Sequence, residues 1–251
     1  MKSFFLAISF LTIIPLHGNQ KAGEKEMALS LYFYPLTGFL IGGLLVLTAW
    51  ISQTLYLEWA GDAIIIAVWI AVTGALHLDG LMDSADGLFS GREREKKLEI
   101  MRDSRMGAMG VIAFAVIILL KLAFLTTLPY ADKLGIILIA PAMGRGAMVY
   151  AVSYFPYARS GPGLGRSFGQ VRKPGPMVGA SITLLGAAFL VLKWPGIWII
   201  SLTGAIVVLT ARRMADSLGG MTGDTYGALC EITETLLIVM AVISLKLYAL
   251  L

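Results

Sequence analysis

The chain has 251 residues and a formal net charge of +4; 57% of the residues are hydrophobic and 14% are charged, with a mean hydropathy of +0.80. A soluble domain carries about 25% charged residues, so this composition points to an all-α, polytopic integral membrane helix bundle instead. No basic tract is interleaved with aromatics, which argues against nucleic-acid binding, and the single cysteine, Cys230, rules out an intrachain disulfide.

The first apolar run, SFFLAISFLTIIPL (Ser3 to Leu16), is short beside the roughly 20 apolar residues that a crossing needs. No A-x-A-like cleavage site follows it, so it reads as an interfacial or re-entrant helix rather than a signal-peptide core. Seven spans are then predicted, at about 29–57, 61–81, 107–129, 133–156, 175–193, 195–211 and 228–250. The sixth is the shortest, and KWPGIW (Lys193 to Trp198) reads as the tight turn before it, with tryptophans at interface level. No repeat or linker divides the chain, which is read as one transmembrane catalytic domain over 1–251.

Of the 20 Lys and Arg, 14 are Lys21, Lys25 and those of the loops 82–106, 157–174 and 212–227; Lys133, Lys193 and Lys246 lie on the opposite side, Lys121 and Arg145 within spans, and Lys2 at the terminus. This alternation places the three loops in the cytoplasm and the C-terminus outside. The loops also hold most of the unusual polar residues. A channel or transporter would place such groups near the bilayer midplane, so the pattern suits an enzyme acting on cytoplasmic substrates.

HLDGLMDSADGLFSG (His77 to Gly91) brings Asp79, Asp83 and Asp86 together. On a helix, Asp83 falls about 40° from Asp79 and Asp86 about −20° from it, so the three share one face and His77 lies opposite. Their apolar neighbours Leu78, Leu81, Met82, Leu88 and Phe89 weigh against a merely solvated helix end. Protonation, arginines or a divalent cation must offset the repulsion, and oxygen-only ligands suit Mg²⁺ or Mn²⁺ rather than Zn²⁺.

RDSRMGAMG sets Arg102, Ser104 and Arg105 before a helix start, a natural phosphate site or simple positive-inside anchoring. REREKKLE (Arg92 to Glu99) reads as a solvated helix, and Lys121 as a side chain snorkelling to the outer interface. Arg145 sits in mid-span between glycines and should meet carboxylates or phosphate inside the protein. Arg159 and Arg166, in a Gly- and Ser-rich loop, could close over an anionic substrate or only anchor the loop. GGMTGDTYGALCEITE (Gly219 to Glu234) places Asp224 and Glu231 on one helical face, with Glu234 about 60° away. A helix dipole accounts well for Asp224 and adequately for Glu231. Together the two acidic sets suggest one or two metal ions acting on a phosphoryl group.

HLDGLMDSADGLFSG, RDSRMGAMG and GGMTGDTYGALCEITE, in this order, resemble the cobalamin synthase (adenosylcobinamide-GDP ribazoletransferase) family, as do the early FLTIIP and YPLTGFLIG. The resemblance implies an enzyme of the cytoplasmic membrane, its site facing the cytoplasm. It would join adenosylcobinamide-GDP to α-ribazole or its 5′-phosphate, release GMP and need Mg²⁺. On this basis Asp79, Asp83, Asp224 and Glu231 are expected as metal ligands, and Asp86 as a ligand or the base. Asp83 and His77 are expected to serve catalysis, and Arg102, Ser104, Arg105, Arg145, Arg159 and Arg166 to bind substrate. DSADG also echoes half of the CDP-alcohol phosphotransferase signature, but the following Ala-Arg is absent. The alternatives are another Mg²⁺-dependent membrane phosphotransferase using a nucleotide-activated alcohol, and a cation transporter. The oligomeric state, a homo-oligomer included, is open.

Overall fold

The structure, a computed structural model, describes residues 2–18, 23–159 and 174–248. The described elements are all helical, apart from one bridge between Tyr157 and Met221. In chain order they are α1 (Lys2–Leu11), α2 (Glu24–Ser30), which runs through a single 3-10 turn into α3 (Tyr34–Thr54), α4 (Glu58–Thr73), α5 (Leu76–Leu88), α6 (Arg94–Ile100), α7 (Ala108–Thr127), α8 (Tyr130–Tyr154), α9 (Gly175–Leu218) and α10 (Gly223–Tyr248). The helices α3, α7, α8, α9 and α10 are apolar enough, with α2 counted into α3, to cross a membrane. The expected count of seven spans is not confirmed: five described helices meet the length and composition of a span, or six if α4 and α5 count as one broken span. At ten residues, α1 is shorter than a span.

Helix α8 is the centre of the bundle, and from Gly135 to Ser153 nearly all of its residues are buried. Between apolar helices in lipid, association rests on close packing, which small residues permit. A Cβ on Gly38 of α3 would collide with the α8 backbone at Ala142, and one on Gly144 of α8 would lie 2.8 Å from Cys230 Sγ on α10. The glycines therefore set how closely α3 and α10 approach α8.

Two stretches break where a run of apolar residues looked continuous or nearly so. The predicted span 61–81 ends at Thr73. Gly74 and Ala75 are left-handed (φ 60° and 57°), with Gly74 N–H on Ala71 O at 3.1 Å and Ala75 N–H on Ile70 O at 3.0 Å. This is a Schellman closure, and α5 leaves it bent by 89° from α4. The aspartates therefore lie on a separate helix, not on the end of a straight span.

The second break is at Lys193, which has φ 59° and ψ −149° inside α9. Leu184 meets Gly146, and Gly204 meets Met143, three residues away on α8. Residues twenty apart in α9 thus sit at nearly the same depth, so the chain folds back at the turn predicted from KWPGIW. Beyond it, α9 stays helical to Leu218, which shortens the expected loop 212–227 to the four residues 219–222.

Candidate active site

Helix α5 lies almost backbone to backbone on the start of α10. A Cβ on Gly80 would stand 2.7 Å from Asp224 O, and one on Gly227 3.1 Å from His77 Cα. This crossing carries Asp79 and Asp83 to the side of Asp224. The α10 start is held by a reciprocal cap: Thr222 N–H donates to Thr225 Oγ1 at 2.7 Å, and Thr225 N–H to Thr222 Oγ1 at 3.2 Å. The preceding turn is clamped from two sides. Met221 N–H donates to Pro156 O and Ala158 N–H to Met221 O, both at 2.8 Å. Arg94 donates to Leu218 O at 2.6 Å and to Ala158 O at 3.2 Å, a cation on the last carbonyls of α9.

Asp79 is exposed, and Asp83 and Asp224 are half-buried. Asp83 feels the negative charge of Asp79, Asp224 and Asp86, opposed by Arg159, whose guanidinium pairs with Asp224 and donates to Met101 O at 3.3 Å. Among the described residues no group of three or more His, Cys, Asp or Glu is close enough to hold a metal ion by itself. Asp79, Asp83 and Asp224 remain a fitting partial set: Mg²⁺ is usually held by one or two carboxylates together with substrate phosphate and water. Arg159 is thus brought to the carboxylates, while Arg166 lies outside the described residues.

Four of the residues singled out in the sequence have protein partners that bear on the roles expected of them. Asp86 shares the helix with Asp79 and Asp83, but its oxygens accept Gly107 N–H and Gly110 N–H, each at 2.8 Å. It caps α7 across 21 residues of chain, with a backbone N–H on each oxygen, and a ligand or base role would have to compete with those bonds. A Cβ on Gly107 would collide with Asp86 Oδ1, and one on Gly110 would stand 2.6 Å from Oδ2, which explains the glycines of RMGAMG.

Glu231 lies seven residues deeper in α10 than Asp224, about 10 Å along the axis. It is 4% exposed, and Lys121 Nζ binds its Oε2 at 2.7 Å and Glu234 Oε2 at 2.8 Å. Arg145 faces the interior and meets a carboxylate, the first of the two partners expected of it, by pairing with Glu234 Oε1. Lys121 does not snorkel outward: it is 3% exposed and its ammonium lies 4.3 Å from the centre of the Trp69 ring. Two carboxylates and two cations make a neutral cluster, the condition under which charges are tolerated inside a bundle.

The loop 101–107 holds the remaining expected phosphate ligands. Arg102 and Ser104 are exposed. Arg105 donates through Nε to Asp103 Oδ1 at 3.0 Å and through a terminal nitrogen to Oδ2 at 2.6 Å. Hydrogen bonds from Arg105 hold the Asp103 carboxyl down to about 2, so Asp103 stays ionised at neutral pH and a phosphate must compete with it for Arg105.

Beside the aspartates, a cavity of about 210 Å³ opens between α1, α3, α5, α8 and α10, lined by Phe10, Tyr34, His77, Asp79, Met148, Val152, Asp224 and Tyr226 among others. His77 is 2% exposed and Tyr226 4%. Phe10, Tyr34 and Tyr226 were not singled out in the sequence. Each stood in a motif all the same: Phe10 opens FLTIIP, Tyr34 opens YPLTGFLIG, and Tyr226 lies beside Asp224 in GDTYG. A larger cavity of about 510 Å³, lined by Gly135, Leu192 and Lys193, is remote from this chemistry: Gly135 and Val152 are 17 residues apart on α8, roughly 25 Å. Near that end Lys133 binds Asp62 at 2.6 Å, a pairing the sequence did not disclose.

Comparison with known proteins bears on this arrangement. Residues 3–242 match the cobalamin-5-phosphate synthase family. A relative from Desulforamulus reducens is 47% identical over 93% of this chain and 93% of its own. One from a Roseiflexus species is 42% identical over 91% of this chain and 84% of its own, and one from Herpetosiphon aurantiacus is 43% identical over 95% and 94%. All three are named adenosylcobinamide-GDP ribazoletransferase. No solved structure matches the chain. With a match over nearly its whole length, this chain belongs to the cobalamin-5-phosphate synthase family.

Proposed function

We propose that this protein is a membrane ribazoletransferase. It joins adenosylcobinamide-GDP to α-ribazole or its 5′-phosphate and releases GMP, at the cytoplasmic face of the cytoplasmic membrane. The observation that carries this reading is the convergence of Asp79, Asp83 and Asp224 where α5 crosses α10. The basic residues Arg94, Lys97 and Arg159 bond at the same end of the bundle, and positive charge favours the cytoplasmic side.

A ribose hydroxyl of the acceptor attacks the phosphorus next to cobinamide. A new P–O bond forms, the bond to GMP breaks, and the hydroxyl proton passes to a carboxylate at the site, with Asp83 the candidate because Arg159 engages the other half-buried one, Asp224. Arg159 neutralises one carboxylate and can pass to a phosphoryl oxygen. Asp79, Asp83 and Asp224 would supply the protein's share of a Mg²⁺ site completed by substrate phosphate and water, and the ion when bound would neutralise the diphosphate.

The test is GMP release from adenosylcobinamide-GDP and α-ribazole phosphate by purified protein in liposomes. Wild type should turn over with Mg²⁺ and stop with EDTA, and Asp83→Asn should lose at least about 100-fold. Folded wild type that releases no GMP overturns the reading. Release of CMP from a CDP-activated alcohol would favour the other phosphotransferase class.

A further inference from the structure

The cavity beside the aspartates has a composition that the transfer chemistry alone does not require. Its apolar wall includes Phe10, Met148 and Val152, and the Phe10 and Tyr34 rings stack at 6.4 Å with 21° between their planes. Two of its lining residues carry a buried polar atom with no protein partner: His77 Nε2 and Tyr226 Oη. Buried polar groups are nearly always hydrogen-bonded, so such atoms await a ligand or water. Asp79 and Asp224 also line the cavity, which therefore adjoins the reacting end.

Size decides which part of a substrate enters. Ligand pockets for whole small molecules run from about 300 Å³ upward. At about 210 Å³ this one holds a single bicyclic ring, not a corrin and not a complete nucleotide. Two bicyclic bases belong to the proposed reaction. Guanine could turn its ring N–H and amino group to a carboxylate, but that would occupy Asp79 or Asp224, which the transfer needs, and its carbonyl and further ring nitrogens would face the apolar wall unpaired, at high cost. A benzimidazole joined to ribose through one nitrogen presents a single polar atom, the other ring nitrogen, which only accepts. Its remaining edge is hydrocarbon and suits Phe10, Met148 and Val152.

We infer that this cavity is the subsite for the benzimidazole base of the acceptor nucleoside, and that Tyr226 is its specificity residue, donating its phenolic O–H to the free ring nitrogen. The inference rests on the proposed transfer. Seating the base inside leaves the ribose at the mouth, beside Asp79 and Asp224, where its hydroxyl must attack. The subsite thus orders the acceptor before the phosphoryl group is engaged.

The experiment measures binding apart from turnover. Full-length protein in detergent is titrated calorimetrically with α-ribazole, and with the analogue in which dimethylindole replaces dimethylbenzimidazole and so lacks the accepting nitrogen. Wild type should prefer α-ribazole by about tenfold, the worth of one neutral hydrogen bond, and Tyr226→Phe should bind both alike. In turnover, Tyr226→Phe should raise KM for α-ribazole about tenfold and leave KM for adenosylcobinamide-GDP unchanged. The wild-type comparison of two ligands needs no variant, so a misfolded variant cannot rescue the idea. Equal binding of both ligands by wild type overturns the subsite, as does a KM change confined to the GDP donor. Ring-dependent binding without any GMP release would keep the subsite and remove the transfer reading; GMP release without ring discrimination would do the reverse.

Discussion

Asp86 accepts two backbone N–H groups at the start of α7, from Gly107 and Gly110, and this separates it from the two aspartates that share its helix. A carboxylate there satisfies donors that the helix leaves open and lies at the positive end of the helix dipole. Losing such a cap costs about 1–2 kcal/mol. Asp86→Ala should lower the thermal unfolding midpoint in detergent, and Gly107→Ala should do the same, because its Cβ would overlap the Asp86 carboxylate. Asp83→Asn should leave the midpoint near wild type while removing GMP release. If Asp86→Asn, measured per folded molecule, loses as much activity as Asp83→Asn, Asp86 is chemical after all. The sequence showed three aspartates on one face, since that follows from helix geometry. It did not show that the third is claimed by glycines more than twenty residues onward, because nothing local records that contact.

Between elements, the crossing of α5 and α10 decides whether the carboxylates meet. Gly80 makes it possible: a Cβ there would stand 2.7 Å from Asp224 O, and a backbone atom cannot yield as a flexible side chain can. Gly80→Ala should push the helices apart by a fraction of an ångström to about 1 Å, a misplacement that can cost about 100-fold in rate. Gly43→Ala on α3, where a Cβ meets nothing within 4 Å, is the control and should behave as wild type. Equal activity in the two variants would show that the crossing has slack and does not set the chemistry. The two breaks differed in legibility. KWPGIW announced the turn at Lys193 through proline, glycine and tryptophans. The bend at Gly74 and Ala75 was hidden, because the apolar run continues through it and a left-handed alanine has no sequence signature.

Across the whole bundle, Trp69 of α4, Lys121 of α7, Arg145 of α8 and Glu231 and Glu234 of α10 tie four helices together through one neutral cluster. The spacing of Asp224 and Glu231 correctly put them on one face, yet angle is not depth, and two helical turns carry Glu231 from the aspartates into the interior. Its assignment to metal or to structure is open to a direct test. Removing one member strands a buried charge, at about 3–5 kcal/mol, so Lys121→Met should strongly lower the unfolding midpoint. Lys121→Met with Glu231→Gln removes one charge of each sign and should recover much of that loss. Were Glu231 a metal ligand, the double variant would stay inactive however well it folded, because the amide that replaces the carboxylate would not hold Mg²⁺ as the anion does. The buried pairing predicts the other result: GMP release per folded molecule within about tenfold of wild type, with an unchanged Mg²⁺ dependence, since Asp224 lies about 10 Å away along α10 and the three aspartates keep their places.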